Sequence, residues 1–399
     1  MGVHRKMPSH LQSKQDRRDA MSFKRIVFWS HLVVGITFGL VILLMSATGV
    51  LLTYERQIIA HMEQHAVDAS SGVRPLTADE MVRAALASGA QPGNSLVFSN
   101  GDRTPVELSV SRRETHLLDP YSGAPLDDAA QTTKAFFGGV TGLHRWLALS
   151  GKSRQLGRAI TGAANLGFFF ILVSGIYLWW PRKWTWRVVK LNLLFRRNLP
   201  TAKARDYNWH HVFGIWALVP LLAVVLSGVV ISYPWASNLV ATAFGPASPL
   251  QPGQVASDQR QDQQGAVGDP VSFQAIADML RETEPAWRTL SIKLPKDQED
   301  SVLVTVDTGN GAQLARQKTY TVSRVTGDIL ATSSVDDQPL GRRVRVFLRF
   351  LHTGEVYGVF GQTLAGLSSL AAVFLFYTGF ALAYRRLIQP IFRRRSLSA

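Results

Sequence analysis

The chain has 399 residues, 46% of them hydrophobic, and 43 Lys and Arg against 28 Asp and Glu leave a formal net charge of +15. There is no cysteine, which excludes disulfides, iron–sulfur clusters, thiolate metal sites and covalently attached c-type haem. The basic excess does not indicate nucleic-acid binding: 20 basic residues sit in 1–25, 182–208 and 385–399 with only Asp16, Asp19 and Asp206 for company, and no nucleic-acid module is present.

Four apolar runs, about Ile26–Leu52, Ala159–Trp180, Val212–Tyr233 and Leu364–Ala383, are each long enough to cross a bilayer core of ~20 helical residues. None ends in a small-residue cleavage site, and the first is too long for a signal peptide. The three basic pieces flank these runs, so the positive-inside rule puts them and both termini in the cytoplasm. The expected fold is a four-span α-helical integral membrane protein in tandem repeat, with two small α+β lobes outside the membrane.

In chain order, 1–25 reads as a polar cytoplasmic tail in which Met1 or Met21 serves as the start, and 26–54 as the first span, carrying His31. Residues 55–137 read as the first lobe. In it LTADEMVRAAL (76–86) is helical, with Thr77 and Glu80 in capping-box spacing. SLVFS (95–99), TPVELSV (104–110) and ETHLLDP (114–120) alternate as strands, with turns at 100–102 and 121–123.

Residues 138–181 hold a glycine-rich re-entry segment with Leu143-His144-Arg145 and then the second span, and 182–208 is the basic cytoplasmic loop. The third span, 209–234, opens with His210 and His211. Laid without gaps over 26–54, residues 205–233 put His210 on His31, Gly214 on Gly35, Gly228 on Gly49 and Tyr233 on Tyr54, an internal repeat. Residues 235–346 comprise a Gln/Gly/Pro/Asp-rich linker, about 245–270, and the second lobe, with a helix over 271–283 and strands at 287–295, 301–307 and 318–330. A second re-entry segment with Arg349 and Leu351-His352 and the fourth span fill 347–384, and 385–399 is a cytoplasmic tail.

Half of the ten histidines lie in the tail or the first lobe, at 4, 10, 61, 65 and 116, where a surface role suffices. The others lie at membrane edges: His31, His210 and His211 toward the cytoplasmic face, His144 and His352 toward the outer one. A buried haem iron takes neutral imidazoles as axial ligands, and two from different spans at equal depth can clamp it. Two b-type haems, another metal site and plain interfacial histidines all accommodate this spacing. Arg145 and Arg349 suit haem propionates and lipid headgroups alike. Trp179, Trp180, Trp184, Trp186 and Trp235 read as an interfacial belt. No GxGxxG follows a strand and no flavin or nicotinamide domain is present, so electrons would come from outside the chain.

HLVVG (31–35), LHRWLAL (143–149), SGIYLWWPR (174–182), HHVFGIWAL (210–218), LHTGEVYG (351–358) and the lobe endings DPYSGAPL (119–126) and RVTGDIL (324–330) follow one another in this order. With them, from about Phe23 to Arg386, the chain resembles the PepSY-associated transmembrane proteins, which include bacterial inner-membrane ferric-siderophore reductases. The resemblance implies periplasmic PepSY-like lobes, haem b and electron transfer to a ferric siderophore at the periplasmic face. An inner haem would sit on His31 and His210, an outer one on His144 and His352, with His211 as neighbour. The chain ends without the flavoprotein domain some relatives carry, leaving quinol or a cytoplasmic flavin reductase as donor. A non-catalytic sensor or protease inhibitor that binds through the lobes is the alternative. A metal or siderophore transporter is weakened by spans that lack carboxylates and lysines.

Overall fold

A computed structural model describes residues 9–64, 67, 74–101, 103–111, 114–181, 183–245, 269–296 and 299–391. Nearly all of the expected linker therefore lies outside the described residues, as do the ends of both tails, Asp102 of the first expected turn, and His4 and His65. The chain divides into two compact units, residues 1–53, 140–233 and 363–399 forming one and 54–139 and 234–362 the other.

The first unit is helical. Its elements are α1 (Ser9–Leu51), α5 (Arg154–Trp179), α6 (Trp186–Leu193), α7 (Ala202–Ser232) and α11 (Gly358–Leu387), the last from Thr363 onward. Four helical stretches, Phe23–Gln64, Gly151–Trp179, Ala202–Ser232 and Glu355–Ile391, are long and apolar enough to cross a membrane, which agrees with the four runs read from sequence. Where the helices meet, Ile42, Phe168, Leu172, Leu221, Val225, Ala372 and Phe376 form a buried cluster. Its outward side chains, such as Leu40, Trp216, Val219 and Leu367, are as apolar as the inward ones. That pattern suits a lipid solvent, in which the outer face need not be polar.

The second unit carries one antiparallel sheet of eight strands in the order β4-β3-β2-β1-β5-β6-β7-β8. The strands are β1 (Ser95–Ser99), β2 (Val106–Ser111), β3 (Glu114–Leu118), β4 (Pro125–Leu126), β5 (Thr289–Lys293), β6 (Ser301–Asp307), β7 (Gln317–Ser323) and β8 (Ile329–Ser333). The segments expected as separate lobes therefore share a sheet, joined where Leu96 pairs with Ile292 and Phe98 with Leu290 in the β1–β5 ladder. The reason is the edge problem: β1 and β5 each have one free side, and pairing them satisfies both rows of backbone groups.

Strand alternation sends Leu96, Leu108, Leu290, Ile292, Val304 and Val322 to one face. There they pack with Met81 and Ala85 of α3 (Ala78–Ala87) and Ile276 and Leu280 of α9 (Phe273–Thr283). The two helices cap each other. The Asp79 carboxylate accepts from the Phe273 and Gln274 N–H groups, both at 2.9 Å, and the Gln274 side-chain carbonyl accepts from Ala78 N–H at 2.8 Å. The Thr77–Glu80 capping box is present as its spacing predicts. The single strand expected over 318–330 is broken into β7 and β8 by a turn in which Gly327 has φ 82°.

Helices α2 (Glu55–Gln64), α4 (Gln131–Trp146), α8 (Pro234–Phe244) and α10 (Leu340–Thr353) complete the described α-helices. The two Leu-His pairs of the re-entry segments lie near the C-terminal ends of α4 and α10.

Candidate functional site

Three of the edge histidines share one local arrangement inside the helical unit. His31, on α1, donates from Nδ1 to Ser174 Oγ on α5 at 2.8 Å. His144, at the end of α4, donates from Nδ1 to Thr48 Oγ1 on α1 at 2.9 Å. His210, on α7, directs Nδ1 at Thr378 Oγ1 and Leu375 O of α11, at 3.0 and 3.1 Å.

The directions of these bonds follow from proton counting. Each hydroxyl has one proton and lies 2.7–2.8 Å from the carbonyl four residues earlier in its own helix, at Phe170, Leu44 and Phe374 respectively. With that proton given to the helix, the hydroxyl oxygen accepts from the imidazole. At His210 the Leu375 carbonyl can only accept, which gives the same answer independently. In the neutral ring the proton therefore resides on Nδ1 and the lone pair on Nε2, an assignment made from the hydrogen-bond network.

Glycine follows the hydroxyl in all three cases. A Cβ on Gly175 would lie 3.7 Å from His31 Cε1, one on Gly379 3.5 Å from His210 Cε1, and one on Gly49 3.8 Å from His144 Cε1. The imidazoles lie over these bare helix positions, so a hydroxyl-glycine dipeptide both orients and seats each ring. Sequence reasoning missed these partners, although Ser174-Gly175 and Thr378-Gly379 recur on the second and fourth spans and could have signalled them.

His31 and His210 are close enough for their charges to interact. His144 lies in the same unit, whereas His352, half-buried at the end of α10, lies in the sheet-bearing unit. The pairing of His144 with His352 rests on the duplicated Leu-His placement in the sequence. His352 precedes a tight turn: Gly354 has φ 77°, and a Cβ there would stand 2.3 Å from the Gly361 carbonyl oxygen. Glu355 in that turn is buried and ion-paired with Arg56 at 2.9 Å, while Asn310 Nδ2 donates to its backbone carbonyl at 3.1 Å.

His211 differs from its neighbour. Its ring packs 4.3 Å from that of Tyr207, and its buried Nδ1 has no hydrogen-bond partner among the described residues. Arg145 lies 4.7 Å over the Trp146 ring, which Arg154 also covers, at 3.5 Å. Arg349 lies 5.6 Å over the Phe350 ring and has no ion pair among the described residues. His116 is exposed beside Glu114 at 3.3 Å, in keeping with a surface role.

Among the described residues no three His, Asp or Glu side chains converge as a bare-ion site would require. A haem iron asks for less, one or two imidazole Nε2 atoms whose other nitrogen is held by an outer partner. His31, His144 and His210 fit that requirement in donor type, tautomer and outer partner. The profile of the PepSY-associated TM region family matches residues 28–386. No curated protein matches the chain.

Proposed function

Since the chain belongs to the PepSY-associated TM region family, which covers residues 28–386, we propose that it is a b-type haem reductase of a bacterial inner membrane, acting on ferric siderophores or similar ferric chelates at the periplasmic face. The observation that carries this reading is the shared tautomer of His31, His144 and His210, each holding Nδ1–H on a helix hydroxyl, which at His31 and His210 directs Nε2 toward ligation. His31 and His210 would hold an inner haem, and His144 and His352, alike in their Leu-His placement in the sequence, are the candidate ligands for further haem, with Arg145 and Arg349 as cations for propionates. Haem held there would supply one-electron exchange between ferric and ferrous iron.

The protein's own part is to orient these imidazoles and keep them dry. Ser174 and Thr378 fix the rings of His31 and His210, and buried Phe168, Leu172 and Phe376 exclude water from the adjoining helix interface. The substrate Fe(III) takes up one electron per ion and leaves its hard oxygen donors more readily as Fe(II). A quinol or a cytoplasmic flavin reductase would supply the electron. Both termini would be cytoplasmic and the sheet-bearing unit periplasmic, a reading that the positive-inside rule supports through the three basic segments.

The test is an optical spectrum of the purified protein, oxidised and then reduced with dithionite, followed by addition of a ferric siderophore with a ferrous-specific chelator present. Haem bands that reduce with dithionite and reoxidise as ferrous iron appears are expected. A colourless protein would overturn the reading in favour of a non-catalytic sensor or inhibitor working through its sheet.

A further inference from the structure

The segment between the second and third spans and the start of α7 line a half-open cavity of about 450 Å³, within the ~300–1,000 Å³ range of ligand sites. Val188, Leu191 and Leu199 give it an apolar side, and Arg196, Lys203 and Tyr207 a polar one. Its walls are held firmly. Thr185 and Thr201 cap α6 and α7 by accepting from Val188 and Ala204 N–H. The buried Asn208 side chain accepts from Arg196 N–H at 3.0 Å and donates to the Leu191 and Leu194 carbonyls at 3.2 and 3.1 Å. Trp216 Nε1–H adds a bond to the Leu193 carbonyl at 2.9 Å.

The charge of this cavity is uncompensated. No carboxylate lines it, and the only acid in residues 182–208, Asp206, is buried with its oxygens on Arg205 and Arg385. Neither Arg196 nor Lys203 has an ion pair among the described residues. The start of α7, 31 residues long, adds the positive end of its dipole. Trp184, Trp186 and Phe195 of the same segment are exposed, and such aromatic residues settle at headgroup depth.

We propose that this cavity binds the phosphate of an acidic phospholipid, with Arg196 and Lys203 on the phosphate and the acyl chains along Val188, Leu191 and Leu199. Such basic pockets beside spans recognise anionic headgroups. A free phosphate compound, such as flavin mononucleotide, shares the phosphate chemistry but lacks the acyl chains this apolar side would take. Only the choice of the cytoplasmic leaflet rests on the orientation proposed above; the binding itself does not.

The test uses the full-length protein in neutral detergent and measures binding of phosphatidylglycerol, phosphatidylcholine, inorganic phosphate and flavin mononucleotide by native mass spectrometry. Phosphatidylglycerol should bind at least about tenfold more tightly than phosphatidylcholine, and R196Q/K203Q should weaken it about twentyfold. R187Q/K190Q removes the same charge from exposed positions of α6 outside the cavity lining and should leave binding within about twofold. Leu191→Trp, which fills the cavity without changing charge, should also abolish binding, and it answers the question if the double variant fails to fold.

Equal binding of the two lipids, equal loss in the control pair, or phosphate or flavin mononucleotide bound in place of lipid would overturn the proposal. Neither ferric chelate nor electron donor enters the measurement, so a chain without reductase activity can still pass it and an active one can still fail.

Discussion

At His210 the imidazole Nδ1 faces two oxygens, whereas at His31 it faces one, and this difference separates the outcomes of removing their partners. Ser174→Ala removes the hydroxyl that orients the His31 ring and should weaken retention of the inner haem about 10- to 100-fold. Thr378→Ala should cost less, because the Leu375 carbonyl still holds the Nδ1 proton. His31→Ala and His210→Ala should each abolish that haem, while His211→Ala should keep it, its ring being packed on Tyr207 instead. Haem released per protein to a scavenger measures all of these, and loss of haem in His211→Ala alone would refute the ligand set.

Outside the spans, the Lys318 ammonium and then the Tyr320 hydroxyl, both bonded to Glu284, hold its carboxyl below the usual carboxylate range. A carboxylate whose folded pKa lies below its unfolded one adds stability above the unfolded value, about 4.5, and loses it as pH falls through the folded value. Glu284→Gln should therefore melt lower than the parent at pH 7, and the gap should narrow as pH falls from about 4.5 through the lower folded value. Thermal unfolding of the two proteins across that range checks the sign.

Among the elements, α3 and α9 depend on each other through their first turns. Thr77→Ala removes one cap and should cost about 1 kcal/mol, but Asp79→Ala removes two bonds to α9 and should cost about 2 kcal/mol, both read by thermal or denaturant unfolding. The capping box was legible because its spacing is local, whereas Asp79 and Phe273 are 194 positions apart and nothing nearby in sequence marks them as partners. The turn after α10 makes a similar point. Gly354→Ala combines a positive φ with a Cβ at 2.3 Å from the Gly361 oxygen, and should destabilise the turn by more than about 2 kcal/mol. If His352 is an axial ligand, the outer haem should be lost with that turn while the inner one is retained, as separate titrations of the two haems would reveal.

For the molecule as a whole, the shared sheet changes what a fragment should do. Residues 269–335 alone leave β5 without its β1 partner and the Phe273 and Gln274 N–H groups without Asp79, so they should aggregate or remain unstructured. Residues 74–126 joined to them by a flexible linker should restore mixed α/β circular dichroism. Reporters placed after Ala399 and near Gln261 should be active in the cytoplasm and the periplasm respectively if the basic segments set the topology.

The amino-acid sequence determined the four spans, the flanking charge and most of the helices and strands, because each depends on residues adjacent in the chain: a run of apolar side chains, a cluster of lysines and arginines, an alternation along a strand. Only the tertiary structure decided that the two strand sets form one sheet and which hydroxyl holds each histidine. Those are pairings between distant segments, selected by edge satisfaction and helix packing. For that reason His31 could be chosen from its place in a repeat, but Ser174, 143 positions away, became visible only when α1 and α5 lay side by side.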